Sequence, residues 1–267
     1  MLPKISIITV CYNAETLIGH TIQSVLNQTY ANIEYIIVDG NSTDKTLDIV
    51  HRHSERSEES AGKQIPHGAC TERSECVRDD IRIISESDTG IYDAMNKGLA
   101  MATGDYVWFM NAGDEIYEPT TIEKLIPYFE KNADVIYGDS VRIDENRDII
   151  GLREKRPSKN FTWKSFRMGM TVCHQSILIS RKIAPKYDLQ YTVSADIDWV
   201  IRAMKQAKIV CNSHQILSRF LVGGFSQRGR KTALKERFAI MKKHYGLLET
   251  LLFHVFITFQ FVFRKKS

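Results

Sequence analysis

Apolar and polar positions follow two alternating periods through the first half of the chain. Ile5 to Val10 is a β-branched run read as a strand, and after Cys11-Tyr12-Asn13-Ala14-Glu15 the residues Leu17, Ile18, Ile22, Val25 and Leu26 recur at helical spacing. The unit repeats. Ile33 to Val38 predicts a second strand that closes on Asp39-Gly40, and Asn41-Ser42-Thr43-Asp44 supplies cap-type residues for a helix through Leu47, Ile49 and Val50. A third strand at Ile81 to Ile84 ends in Ser85-Glu86-Ser87-Asp88 before a helix from Ile91 to Ala102. The fourth, Tyr106-Val107-Trp108-Phe109-Met110, carries no charge and breaks into Asn111-Ala112-Gly113-Asp114. Four strands alternating with helices predict an α/β chain whose parallel sheet is wound by right-handed crossovers. In open sheets of this kind ligands bind at the C-terminal strand ends. Tyr12, Asn13, Asp39, Asp88, Asn111 and Asp114 are therefore expected on one rim.

The second half reads as mixed. Pro119 opens a helix through Phe129, Asp134 to Asp139 starts a strand with a hairpin partner near Asp148-Ile149-Ile150, and Phe161 to Met170 is a short apolar helix or loop. Ser176 to Ile179 is a further strand, and Ile209 to Leu221 leads to a flexible turn at Gly223-Gly224-Phe225-Ser226. Asp196 and Asp198 precede a helix, where the macrodipole favours carboxylates, so capping alone would explain them. His51 to Asp80 is rich in Ser, Glu and Arg and poor in large apolar residues, which predicts a mobile insertion.

Composition narrows the function. The chain has 267 residues, 43% of them hydrophobic, enough for an ample core. Its net charge of +4 is too mild to indicate nucleic acid, and its five scattered cysteines form no Cys-x-x-Cys pair that would suggest zinc or a disulfide framework. No signal-peptide pattern precedes the first strand, so a reducing, cytoplasmic setting is expected. Neither Gly-x-Gly-x-x-Gly nor Gly-x-x-x-x-Gly-Lys-Ser/Thr follows a strand, which argues against a nicotinamide dehydrogenase and a P-loop enzyme.

The blocks Thr9 to Asn13, Ile37 to Asp44, Asp88 to Gly98, Asn111 to Asp114 and Asp196 to Asp198 resemble, in this order, family 2 glycosyltransferases of the GT-A fold. That resemblance implies a mostly parallel nucleotide-binding sheet flanked by helices, with a mixed acceptor-side region, over residues 1–226. It also implies inverting transfer of a sugar from a nucleotide-diphosphate donor, a UDP-sugar, to a hydroxyl of a glycan or lipid-linked acceptor in bacterial surface-polysaccharide synthesis. A hard divalent cation would neutralise the departing diphosphate, and a carboxylate would take the acceptor's proton. By resemblance Asp39 meets the uracil edge, Thr9 and Tyr12 line the base, and Asn111 contacts the donor. Lys97 approaches the diphosphate, although a solvated helix lysine is the plainer reading. Asp114 ligates Mg²⁺ or Mn²⁺, and Asp196 is the base. The family's metal motif is commonly Asp-x-Asp or Asp-Asp, so Asn111 replaces one acid, and a catalytically weak sugar-nucleotide-binding or scaffold protein is the alternative. Asp198 is expected to be structural or acceptor-orienting, and His174 a satisfied core histidine.

Residues 227–267 are expected to be a helical tail. Wound as a helix, Leu248, Leu251, Leu252, Val255, Phe256, Phe259, Val262 and Phe263 fill one arc, with Glu249, Thr250, His254, Thr258 and Gln260 opposite. Leu247 to Phe263 reaches only ~25 Å, short of a bilayer core of about 30 Å. It is therefore expected to lie in the membrane interface beside a lipid-linked acceptor, the competing expectation being a helix packed on the domain or on a second subunit.

Overall fold

The computed structural model describes residues 2–61, 81–154, 161–223 and 230–264. Four strands, β1 (Ile5–Cys11), β2 (Ile33–Asp39), β3 (Ile81–Ser85) and β4 (Tyr106–Phe109), form the parallel half of one sheet in the order β3-β2-β1-β4. Their crossovers carry α1 (Ile18–Leu26), α2 (Thr46–Ala61) and α3 (Ile91–Met101). Every residue of β1, β2 and β4 is buried, which explains why these strands lack polar alternation. One layer of core unites Ile8, Val10, Ile36 and Phe109, and the other unites Ile5, Ile7, Ile37 and Trp108.

Beyond β4 the sheet changes direction. The short β5 (Glu115–Ile116) and α4 (Ile126–Glu130) are followed by β6 (Val135–Ile143), β7 (Ile149–Leu152), β8 (Ile177–Ser180), α5 (Ala195–Gln206) and β9 (Val210–Leu221). β8 lies antiparallel between β4 and β6, β9 runs parallel to β6, and β7 closes the expected hairpin on β6. A 3₁₀ helix at Trp163–Met168 occupies the region read as a short helix or loop. The helix expected from Pro119 begins later, as a 3₁₀ turn at Glu123–Leu125 leading into α4.

Close packing sets the spacing of the parallel half. A Cβ on Gly98 of α3 would stand 2.4 Å from Ile8 Cγ2 and 3.2 Å from Val38 Cγ2. Only a glycine lets that helix lie so close to β1 and β2.

Two boundaries differ from the sequence reading. Helix α2 continues to Ala61, eating into the segment expected to be mobile from His51, and residues 62–80 lie outside the described residues. Val50, buried on the core side, anchors the first turns from which the helix continues past His51. The C-terminal helices α6 (Arg230–Tyr245) and α7 (Leu247–Arg264) form as expected, but Ile240 of α6 is completely buried within the main core. A division after residue 226 therefore does not coincide with a division in the packing. The turn residues Gly224 to Ser226 fall outside the described residues.

Candidate active site

The C-terminal ends of the parallel strands form one rim, and two loops interlock along it. Asn13 N–H donates to Ser42 Oγ at 2.8 Å, Thr43 N–H to Asn13 Oδ1 at 2.9 Å, and Ala14 N–H to Thr46 Oγ1 at 2.7 Å. Polar residues in these blocks thus tie the loop after β1 to the loop after β2. What stays open is the ring of Tyr12, 64% exposed, beside Gly40. A Cβ on Gly40 would meet Asp88 Oδ2 at 2.6 Å and Tyr12 Cδ2 at 3.4 Å, so the glycine lets the Asp88 carboxylate and the Tyr12 ring close in on this turn. Asp88, read from the sequence only as a rim residue, belongs to this corner.

Three of the expected donor contacts are engaged elsewhere. Thr9 is fully buried and shares a 3.0 Å hydrogen bond with the Tyr35 hydroxyl, because its position in β1 faces the inner layer rather than the rim. Asp39 is fully buried as well, accepting from Ser42 N–H at 3.0 Å and from the Ser85 and Ser42 hydroxyls, so its carboxylate braces the rim and presents no free edge. Lys97 donates to the Ser87 carbonyl at 2.7 Å and pairs with Glu86 at 2.9 Å, holding the loop after β3. Asn111 differs: its Oδ1 is buried with no hydrogen-bond partner among the described residues.

Asp114 was expected at an exposed strand end and is instead only 6% exposed. Its Oδ2 accepts from Gln175 Nε2 at 2.7 Å and its Oδ1 from Leu221 N–H at 3.1 Å. Burial pushes its carboxyl up to about 7, against the opposing pull of Leu221 N–H, Gln175 and Arg147. Arg147 also donates to the Gly113 carbonyl at 2.7 Å and pairs with Glu115, placing a guanidinium on this turn. The divalent cation implied by the resemblance asks for free, ionised oxygens. At neutral pH the Asp114 carboxyl is about half protonated, and each of its oxygens already accepts a hydrogen bond. No group of three or more His, Cys, Asp or Glu side chains gathers to hold a metal among the described residues. These residues do not fit a cation held by the protein itself.

The acceptor-side corner is built by α5. Asp196 stands in its first turn, and its Oδ1 accepts from the Tyr92 hydroxyl at 3.3 Å. Burial pushes this carboxyl up to about 6, opposed by Ile197 N–H, Tyr92 and the charge of Arg153. Such a group is ionised at neutral pH and still a competent proton acceptor. Asp198 has a different fate. It is fully buried, its carboxylate engaging Arg202 Nε at 2.6 Å, His244 Nε2 at 2.8 Å and Lys243 Nζ at 3.1 Å. Burial would raise it, yet His244, Arg202 and Lys243 hold it well below the usual carboxylate range. Asp198 is thus the structural member of the pair and clamps α6 to α5. Glu236 of α6 completes the clamp, accepting the backbone N–H groups of Thr192 at 2.7 Å, Val193 at 2.9 Å and Ser194 at 2.8 Å.

His174 is the satisfied core residue expected. It bonds the Tyr187 hydroxyl at 2.7 Å, and burial lowers its ring to about 4. Arg153 escaped the sequence reading. Its Nη2 donates to the Met170 carbonyl at 3.1 Å, its buried Nη1 has no hydrogen-bond partner among the described residues, and its charge is felt by both Asp196 and Cys173. No local pattern marks an arginine that follows a hairpin.

Residues 6–187 match the family profile described as Glycosyl transferase family 2. The chain belongs to this family. A PGL/p-HBAD biosynthesis glycosyltransferase of Mycobacterium bovis (strain BCG / Pasteur 1173P2) is 29% identical over 214 residues, which cover 78% of this chain and 72% of the relative. An uncharacterized glycosyltransferase of Haemophilus influenzae is 30% identical over 175 residues, 64% of this chain and 46% of the relative. The fold of this family 2 glycosyltransferase is that of S. aureus TarS 1-349, with a TM-score of 0.67 at 15% identity over 94% of this chain and 71% of that one. TarS 1-349 in complex with UDP-GlcNAc superposes with a TM-score of 0.65 at 16% identity, covering 90% of this chain and 64% of that one. The mannosyltransferase PcManGT from Pyrobaculum calidifontis, in complex with GDP-Man and Mn2+, gives 0.61 at 16% identity, covering 90% and 64%. This family 2 chain is accordingly a glycosyltransferase with a GT-A-type sheet.

Proposed function

We propose that this glycosyltransferase moves a sugar, with inversion, from a nucleotide-diphosphate donor of the UDP type to a hydroxyl of a glycan or lipid-linked acceptor in bacterial surface-polysaccharide synthesis. The observation that carries the reading is Asp196, a carboxyl raised to about 6 in the first turn of α5. The acceptor oxygen attacks the anomeric carbon, the bond from that carbon to the diphosphate oxygen breaks, and the acceptor's proton passes to Asp196. Tyr12 offers an exposed ring for the base to lie against, and the unpartnered Asn111 Oδ1 offers an acceptor for a donor hydroxyl. The bound UDP-GlcNAc of TarS supports a UDP-sugar. Peripheral contact with the inner face of the cell membrane belongs to the same reading.

The test is a screen of nucleotide sugars against the purified protein, reading nucleoside diphosphate release with Mn²⁺ and with chelator. UDP-sugars should be turned over slowly even without acceptor. Release from GDP-sugars alone would overturn the choice of base, and release from no donor would overturn the donor reading.

A further inference from the structure

Helix α7 is turned the opposite way from an ordinary surface helix. Its polar side is the packed one: Thr250 is 2% exposed, Glu249 pairs with Arg167 of the 3₁₀ helix at 2.7 Å, and the His254 ring meets Phe238 of α6 edge-on at 5.2 Å. Its apolar side faces outward. Leu248, Leu252 and Val255 are 80%, 71% and 68% exposed, with Leu247 and Leu251 beside them. Those five positions form one stripe at helical spacing, and the sequence continues the spacing with Phe259, Val262 and Phe263. A contiguous exposed stripe marks an interaction surface, where scattered surface leucines do not.

Charge identifies what covers it. From Arg230 onward the chain carries nine lysines and arginines against two glutamates, so its overall +4 arises from this segment and the remainder is net acidic. Both glutamates are engaged, Glu236 by the Thr192 to Ser194 backbone and Glu249 by Arg167. Lys231, Lys235 and Lys242 of α6 are exposed, and the sequence closes on Arg264-Lys265-Lys266. An apolar stripe with basic residues on both sides along the chain complements an anionic bilayer surface. A second copy would bring the same basic segment against itself. Spanning is a different matter, since among the described residues no helix is long and apolar enough to cross a membrane.

We propose that the outer face of α7 docks on an anionic lipid surface, burying Leu248, Leu252 and Val255 among the acyl chains while the flanking lysines and arginines meet the headgroups. This deepens the acceptor part of the proposed function. Helix α7 follows α6 directly, and α6 holds both Asp198 and the loop that leads into Asp196. Docking therefore sets the proton acceptor at a fixed height above the lipid surface, where a lipid-carried hydroxyl is presented.

Flotation of the full chain with vesicles tests it. The wild type should bind vesicles of mixed phosphatidylglycerol and phosphatidylcholine, bind phosphatidylcholine alone much more weakly, and release as salt rises. L248E/L252E should partition at least ~100-fold less, the loss expected from withholding two leucines from the acyl region. Both side chains are exposed, so its melting temperature and donor-dependent diphosphate release should match the wild type. L248Q/L252Q serves if the glutamates disturb the helix. Failure of the wild type to float with anionic vesicles, or equal flotation of wild type and variants, overturns the proposal. A wild-type dimer in light scattering that L248E/L252E splits would assign the face to a second copy and overturn it too. Because vesicle binding is read without sugar transfer, its failure is separable from failure of the donor reading.

Discussion

Asp114 and Asp196 are both raised carboxyls, and their surroundings give them different work. Asp196 can hold a proton only below about 6, so kcat/KM should fall on the acid side with an apparent pKa near that value. Asp196→Asn keeps the shape and cannot accept the proton; turnover should drop ~100-fold or more with donor affinity unchanged. Loss of donor binding with intact turnover would refute the base role. Asp114 is already spent on Gln175 and Leu221, so Mn²⁺ titrated calorimetrically into the donor-free protein should show no binding tighter than about 1 mM. A micromolar site would show that the turn does hold the ion. The sequence placed both aspartates correctly at strand and helix ends. It was silent on what their oxygens touch, because Gln175, Leu221 and Tyr92 are far from them along the chain. Thr9 shows the same gap, since strand periodicity says that it alternates and only the register with β2 says that Tyr35 receives it.

Between elements, the decisive joint is α6 on α5. Glu236 satisfies three consecutive backbone N–H groups that no other element reaches, and Asp198 draws Lys243 and His244 onto the same helix. Glu236→Ala should leave those donors without their acceptor and loosen the loop before Asp196, cutting turnover ~10-fold or more while donor affinity holds, and Glu236→Gln should recover part of it. Equal loss of donor binding in a calorimetric titration would mean that the joint supports the whole sheet instead. The helices themselves were legible from their apolar spacing. The joint was not, because Glu236 lies in a stretch whose charges read as an ordinary solvated face.

Over the whole molecule, the parallel half was readable almost strand for strand, since βα units wind a parallel sheet and their buried strands are mostly apolar. The order of β8, β6 and β9 was not, because those pairings join segments distant in the chain. The active-site carboxyls also tax the fold. Folded Asp114 binds its proton up to about 7 where an ordinary aspartate releases it near 3.8, so it weakens the fold progressively as pH rises through that window. Asp114→Asn should therefore gain melting temperature relative to the wild type between pH 4 and 8, and a constant difference across that range would refute the shift. The clamp made by Glu236 has a last consequence, for the order in which the protein comes into being. While the ribosome is making the chain, β1 to β4 can pair as soon as they emerge, because each finds its partner already made: β2 on β1, β3 on β2 and β4 on β1. The loop before Asp196 must wait until residue 236 has been translated. A nascent chain thus pairs its parallel strands well before the loop that leads to Asp196 is set.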